Sequence, residues 1–302
     1  MNLELALVIV TDVDACLLDD RTYSPEGARA ALEALRQQEV PVVLCSSKTR
    51  AELIAVQEAL AIAGPFISEN GGGLHLPPGY FPFEIPGVGR RNGHALAVFG
   101  RPRPWILERL RRTAAQTGVS IVGFSDMSPE QIAADCGLTL RQAELAGLRD
   151  YDEPFRVIDP DPQARTRLHS ALRAAGVHVT AGGRYDHATG PTDKGGPTAY
   201  LRCLFRAAYG RTIFVGLGDA LNDAPLLRSV DVPIIVRAAS GARTAALQKA
   251  VPGARVTHAV GPVGWQEAVF DVLTARQRWL CEKGRQLPVA GKTKRAPTET
   301  AA

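Results

Sequence analysis

A chain of 302 residues is about twice the usual single-domain length, so it holds one large domain or two modest ones. Apolar residues at 45% and charged residues at 22% exclude a disordered, collagen-like or coiled-coil protein. Of the net charge of +4, three charges fall in the last 22 residues; the rest is nearly neutral and offers no broad basic face for nucleic acid.

Residues 5–10 form an unbroken apolar run with two valines and an isoleucine, ended by Thr11 and Asp12, which predicts a strand buried on both faces. A helix is predicted from Ser24, with Ser24 as its cap, Pro25 in its first turn and Ala28, Ala31, Leu32 and Leu35 at helical spacing. Strands at 40–45 and 66–68 flank a second helix at 51–62. This alternation predicts an α/β fold with a Rossmann-like, doubly wound parallel sheet, whose ligands sit at the carboxyl ends of the strands. From Tyr80 the pattern is broken by Pro82, Pro86, Gly87 and Gly89. An α+β region then follows, with strands expected at 95–99, 120–124, 155–158 and 177–180 and helices at 105–116, 128–135, 140–149 and 163–175. Alternation resumes at 195–208, 212–215 and 231–236, so the middle reads as an insertion. The expected organisation is a discontinuous catalytic core of 1–82 and 188–283, an inserted α+β cap of 83–187, and a disordered tail of 284–302.

Five scattered cysteines, with no Cys-x-x-Cys pair, suit a reduced, cytoplasmic protein. The N-terminus lacks the basic start and cleavage site of a signal peptide, and no uncharged run reaches the ~18 residues of a membrane span. The histidines show no metal-ligand spacing, so zinc is not indicated.

Carboxylates cluster at two strand ends, Asp12-Val13-Asp14 and Gly218-Asp219-Ala220-Leu221-Asn222-Asp223. In a parallel sheet both ends share one edge, where each close pair repels by about 4 kcal/mol at 4 Å and an effective dielectric of 20. A hard cation relieves this, and Mg2+, which takes few carboxylates and a substrate phosphate, matches so small a set. Two other strand ends carry Ser46-Ser47-Lys48-Thr49-Arg50 and Asp193-Lys194-Gly195, hydroxyls and cations suited to a phosphoryl group. Taken singly, either acidic motif also reads as a turn, Ser46 as a helix cap and Lys194 as a solvated charge. Cys16 and Cys45 flank the same edge, without a histidine nearby, and read as packing residues.

Asp12/Asp14, Ser46, Lys194 and Asp219/Asp223 resemble, in order, the four motifs of the haloacid dehalogenase superfamily. Only 31 residues separate Asp14 from Ser46 but 147 separate Ser46 from Lys194, which places a cap after the second motif. Closer resemblance is to the mannosyl-3-phosphoglycerate phosphatase family. It rests on 46–50, Pro65-Phe66-Ile67-Ser68-Glu69-Asn70-Gly71-Gly72-Gly73, Phe124-Ser125-Asp126-Met127-Ser128, Arg149-Asp150-Tyr151-Asp152-Glu153-Pro154-Phe155, and Gly182-Gly183-Arg184-Tyr185-Asp186-His187. One departure is Ala15-Cys16, where the superfamily's usual pattern is Gly-Thr.

The resemblance implies a phosphomonoesterase working through an aspartyl-phosphate, with Asp12 as nucleophile and Asp14 as general acid and base. It also implies Mg2+ on Asp12, the Asp14 carbonyl, Asp219 and Asp223, and Ser46 and Lys194 on the phosphoryl oxygens. Substrate-binding candidates are Ser47, Lys48, Arg50, Glu69, Asn70, Gly71, Arg184, His187 and Asn222, although Arg184 also reads as an interdomain ion pair and His187 as a hinge residue. The implied substrate is a small phosphorylated sugar-glycerate, mannosyl-3-phosphoglycerate, converted to the compatible solute mannosylglycerate, with no nucleic-acid or membrane partner. Glucosyl-3-phosphoglycerate, sucrose phosphate, or an inactive phosphosugar-binding module are the alternatives.

Overall fold

Strand β1 (Ala6–Thr11) sends Leu7 and Ile9 into one hydrophobic cluster and Val8 and Val10 into another, the two-sided burial that an unbroken apolar run requires. It pairs in parallel with β2 (Val42–Cys45) and with β11 (Thr212–Gly218). Parallel pairing continues outward to β3 (Phe66–Ser68) on one side and to β12 (Val232–Arg237) and β13 (Arg255–Val260) on the other. Helices α1 (Arg29–Gln37), α2 (Arg50–Leu60) and α10 (Gly261–Glu282) pack one face through Leu35, Leu53 and Trp265. The other face is covered by α7 (Gly195–Tyr209) and α8 (Ala224–Arg228) through Leu201, Phe205 and Leu226. The computed structural model describes residues 6–91, 93–181 and 184–282; the expected tail, and Gly182 and Gly183, lie outside the described residues.

The parallel sheet is extended beyond its predicted edge. Antiparallel strands β4 (Gly73–Leu76), β6 (His94–Val98) and β5 (Gly89–Arg91) follow β3 and complete nine strands in the order β13-β12-β11-β1-β2-β3-β4-β6-β5. The sequence pattern assigned 95–99 to the insertion, but Leu74, Leu76, Ala95 and Ala97 bury against the layer that holds Phe205. The proline-rich stretch that looked like a domain boundary is a loop of this extension, with Tyr80 and Phe81 packed edge-on against Phe205.

A second, antiparallel sheet has the order β7 (Ile121–Gly123), β8 (Asp152–Val157), β10 (Asp186–Thr189), β9 (His178–Ala181). Helices α3 (Arg103–Thr117) and α6 (Ala164–Ala174) cover it through Ile106, Leu110, Leu168 and Leu172 around Phe155. Helices α4 (Pro129–Cys136) and α5 (Leu140–Gly147) form a smaller cluster with Phe124 and Tyr185. The chain thus leaves the large sheet after Val98, not at 83, and β10 still belongs to the small sheet beyond 187. Among the described residues no helix is long and apolar enough to cross a membrane.

Both crossings between the sheets run over the turn after β3. Phe99 and Gly100 N–H donate to the Gly72 carbonyl at 3.0 and 2.9 Å, and Thr192 Oγ1 donates to the Gly71 carbonyl at 3.0 Å. Gly71, at φ 96°, lies so close to the returning chain that a Cβ there would sit 2.0 Å from the Asp193 carbonyl oxygen.

Candidate active site

The carboxyl ends of β1, β2, β3 and β11 deliver Asp12, Ser46, Glu69 and Asp219 to one edge of the sheet. The Asp12 N–H donates to the Leu217 carbonyl at 2.9 Å, carrying the β1–β11 ladder to the first acidic residue. Asp12, Asp219 and Asp223 are all buried, with one carboxylate oxygen from each within 4.8 Å of the others. Lys194, immediately before α7 and 1% exposed, donates to Asp12 Oδ1 at 2.7 Å and to Asp223 Oδ1 at 2.6 Å. Asp223 Oδ2 accepts from the Asp219 and Ala220 N–H groups at 2.9 and 3.0 Å, so this carboxylate also braces its own loop.

Burial dominates the electrostatics. It pushes the Asp12 carboxyl up to about 6 against the pull of Lys194, and pushes Asp219 well above the carboxylate range, helped by Asp223 and Asp12. Burial opposes the Lys194 charge, yet Asp12 and Asp223 hold its ammonium well above the usual value. One lysine does not satisfy three carboxylates. Among the described residues Asp219 Oδ1 has no hydrogen-bond partner, and Oδ2 lies 2.8 Å from Arg243 Nη2 as an ion pair without hydrogen-bond alignment. A buried, oxygen-only donor set with an orphaned oxygen fits a hard divalent cation.

Asp14 stands apart from this triad. Its Oδ2 pairs with Lys48 Nζ at 3.0 Å and its Oδ1 is buried without a hydrogen-bond partner among the described residues. Lys48 is itself 3.8 Å from Glu52 and 5.3 Å above the Tyr23 ring. Ser46 is buried, and its Oγ accepts from the Lys48 N–H at 3.2 Å. The cap of α2 is Thr49, not Ser46: its hydroxyl accepts from the Glu52 N–H and donates to the Leu145 carbonyl of α5 at 2.9 Å.

Two of the substrate-binding expectations change. Glu69 is fully buried and both its oxygens accept N–H groups, from Asp150 at 3.0 and 2.9 Å and from Tyr151 at 2.7 Å, so it ties the β3 turn to the insertion and has no free oxygen for a sugar. Arg50 turns to His94 Nδ1 at 3.5 Å on β6 and forms no part of the cleft wall. Glu69, Asn70 and Gly71 all have positive φ, at 50°, 54° and 96°. This turn is held by the Glu69 contacts together with N–H donation from Glu69 to the Lys48 carbonyl and from Asn70 to the Ser46 carbonyl.

Glu69 carries a pH prediction. Burial lifts its carboxyl from 4.5 to about 7 against Arg149 and the Tyr151 N–H. The native chain then retains a proton that the unfolded chain releases, and stability falls as pH rises between these two values. Glu69→Gln, neutral throughout, should remove this decline. The difference in unfolding free energy between wild type and variant should change by up to ~3 kcal/mol across the window, read from urea unfolding at each end. A constant difference would show that Glu69 is not buried as an acid.

A cleft of about 480 Å³ opens between the sheets, with Asp12, Asp14, Ser47, Lys48, Asn70, Asn222 and Arg243 on one wall and Phe124, Arg149, Arg184, Tyr185 and His187 on the other. A chain of side chains joins the walls: Asn222 Nδ2 donates to Asn70 Oδ1 at 3.3 Å, and Asn70 Nδ2 donates to Asp152 Oδ2 at 3.2 Å. Asp152 Oδ2 is 2.8 Å from His187 Nδ1 and 3.3 Å from Arg149 Nη1, which also donates to the Ser47 carbonyl at 3.1 Å. Arg184 is exposed and donates to the Asp135 carbonyl. Sequence reading missed Tyr23, Arg149, Asp152 and Arg243 as site residues. Only Arg149 and Asp152 left a signal, the dense charges of 149–153 at the start of β8.

A family model described as haloacid dehalogenase-like hydrolase matches residues 9–76. A glucosyl-3-phosphoglycerate/mannosyl-3-phosphoglycerate phosphatase of Methanococcoides burtonii is 38% identical over 268 residues, 88% of this chain and 97% of that protein. The chain belongs to the mannosyl-3-phosphoglycerate phosphatase family. The phosphatase is also 33% identical over 277 residues to a protein of the same description from Persephonella marina, covering 91% of this chain and 100% of that one. Among solved structures, the Synechocystis sucrose-phosphatase bound to sucrose and phosphate shares the fold, with a TM-score of 0.58 at 13% identity over 91% of this chain and 99% of that one.

Ala15 marks a local strain in the phosphatase. It lines the cleft at φ 58°, where a Cβ crowds the following carbonyl. Ala15→Gly should stabilise the chain by about 0.5–1 kcal/mol, the relief of strain exceeding the added freedom of the unfolded chain. Urea unfolding checks this, and a loss of stability would show that the Ala15 methyl packs better than its backbone suffers.

Proposed function

We propose that the phosphatase hydrolyses a glycosyl-3-phosphoglycerate, mannosyl-3-phosphoglycerate first among them, to the glycosylglycerate and phosphate, through an aspartyl-phosphate and with Mg2+. The observation that carries this is a nucleophile-ready Asp12 beside Lys194, with a second carboxylate, Asp14, on the same cleft wall, in a chain whose relatives are named for these substrates.

Asp12 attacks phosphorus in line with the bond to the glycerate oxygen, and Asp14 delivers a proton to that oxygen as it leaves. Asp14, now a base, takes a proton from the water that attacks the aspartyl-phosphate, which restores Asp12 and releases phosphate. Lys194 and Ser46 act on the phosphoryl oxygens, whose charge needs neutralising before one anion can approach another. Asp12, Asp219, Asp223 and the Asp14 carbonyl would hold Mg2+, which supplies further neutralisation of the phosphoryl group. Discrimination belongs to the insertion, which brings Arg149, Arg184 and His187 to the cleft. Together with Lys48, Arg149 and Arg184 suit a leaving group that carries its own carboxylate.

Phosphate release measured over a panel of phosphomonoesters, with and without chelator, tests the proposal. Mannosyl- and glucosyl-3-phosphoglycerate should exceed sucrose phosphate by at least about tenfold in kcat/KM, and chelator should abolish turnover. Equal turnover of unrelated phosphomonoesters would sink the substrate assignment. Tight binding without turnover would identify a phosphosugar-binding module instead.

A further inference from the structure

Two cations face the acidic triad, and they are held very differently. Lys194 is 1% exposed and is committed to Asp12 and Asp223 by two short hydrogen bonds. Asp219 draws its compensation from Arg243, 2.8 Å from Oδ2, on α9 (Gly241–Ala250). That helix follows β12, the neighbour of β11, so its first turn lies at the same strand-end edge as Asp219. The Arg243 side chain is 37% exposed and part of the cleft wall, whereas Asp219 is completely buried. The contact lacks hydrogen-bond alignment, and among the described residues neither Asp219 oxygen has a hydrogen-bond partner. A bidentate, aligned pair would be a fixed structural element; a misaligned ion pair with an open path to solvent is one that a stronger cation can replace.

We propose that Arg243 is an exchangeable counter-ion: it neutralises Asp219 while the triad is metal-free and is displaced into the cleft when a divalent cation binds, so that it weakens cation affinity. This rests on the reading of Asp12, Asp219 and Asp223 as the Mg2+ site. The cation must break the Arg243–Asp219 attraction and then tolerate a guanidinium nearby, and both effects oppose binding.

Calorimetric titration of the full chain with Mg2+ in mildly alkaline buffer tests the proposal without reference to turnover. Arg243→Gln should bind Mg2+ about five- to tenfold more tightly than wild type, the modest size reflecting a half-exposed, screened partner. Arg243→Lys, which keeps the charge, should lie between the two. Arg255→Gln serves as the control: it removes the same charge from a surface pair with Asp271, 2.6 Å apart and away from the cleft wall, and should bind as wild type does. Equal or weaker binding by Arg243→Gln, relative to Arg255→Gln, would overturn the exchange. No Mg2+ binding by any of the four proteins would overturn the metal reading itself, an outcome distinct from equal binding by all.

Discussion

Asp12→Asn should lower kcat by at least about 10^4-fold while the chain remains folded. A carboxamide cannot displace the leaving oxygen from phosphorus, and among the described residues the neighbouring carboxylates are engaged elsewhere: Asp14 is paired with Lys48, Asp219 with Arg243, and Asp223 is bound to Lys194 and two backbone N–H groups. Folding survives because Lys194 keeps its 2.6 Å partner in Asp223. The substitution also removes one of three crowded negative charges, which burial already disfavours by lifting the Asp12 carboxyl to about 6. The unfolding midpoint should therefore hold or rise. Acid quenching of wild type during turnover should trap a phosphorylated chain detectable by mass spectrometry, and the same quench of Asp12→Asn should not. Retention of even a hundredth of wild-type turnover would mean that Asp12 is not the nucleophile.

The parts of this site that could be read from the sequence share one property: each follows an apolar, β-branched run or opens a capped helix. Asp12 and Asp219 end β1 and β11, and once those strands are parallel neighbours their ends must meet. Lys194 precedes α7, which starts at that edge and carries the chain back to the beginning of β11. Residue type alone misled where local geometry had another use for the group. Glu69 was a sugar-ligand candidate as a group able to bond hydroxyls, but three positive-φ residues in a row need an anchor, and its carboxylate is that anchor. Arg243 left no sequence signal, and for Asp152 the charge-dense segment was legible but its partner was not. Asp152 meets Asn70 across 82 positions of sequence, and no periodicity or motif spacing encodes such a pair; it exists only after two sheets have docked. The β4–β6 extension escaped for a third reason, since Gly89-Arg90-Arg91 has no apolar signature and pairs as a strand only because β6 lies beside it.

Lys194→Met should destabilise the chelated protein by about 3–5 kcal/mol at neutral pH, the penalty for removing one partner from a buried ionic cluster. Methionine replaces the stem with similar volume, so the loss isolates the charge. Without Lys194, Arg243 alone among the described residues is left to pair with the carboxylates of Asp12, Asp219 and Asp223, and the aligned hydrogen bonds at 2.7 and 2.6 Å disappear. Burial already raises the Asp12 and Asp219 carboxyls, and loss of the lysine raises them further, so the native variant binds protons that the unfolded chain does not. A carboxyl raised on folding disfavours the native state once pH exceeds its unfolded value near 3.8, and the full penalty is present above its folded value. The deficit of Lys194→Met relative to wild type should therefore be smallest in acid and grow through pH ~6 towards neutrality, where urea unfolding measures it most easily. Saturating Mg2+ should return about 2.7 kcal/mol at a hundredfold excess over its Kd, because the cation then supplies the missing positive charge. Activity should not return with stability: the phosphoryl oxygens still lack the lysine, and kcat should stay about 10^2- to 10^3-fold below wild type. A variant as stable as wild type at neutral pH in chelator would show that Lys194 is not the charge that lets these carboxylates share one strand edge.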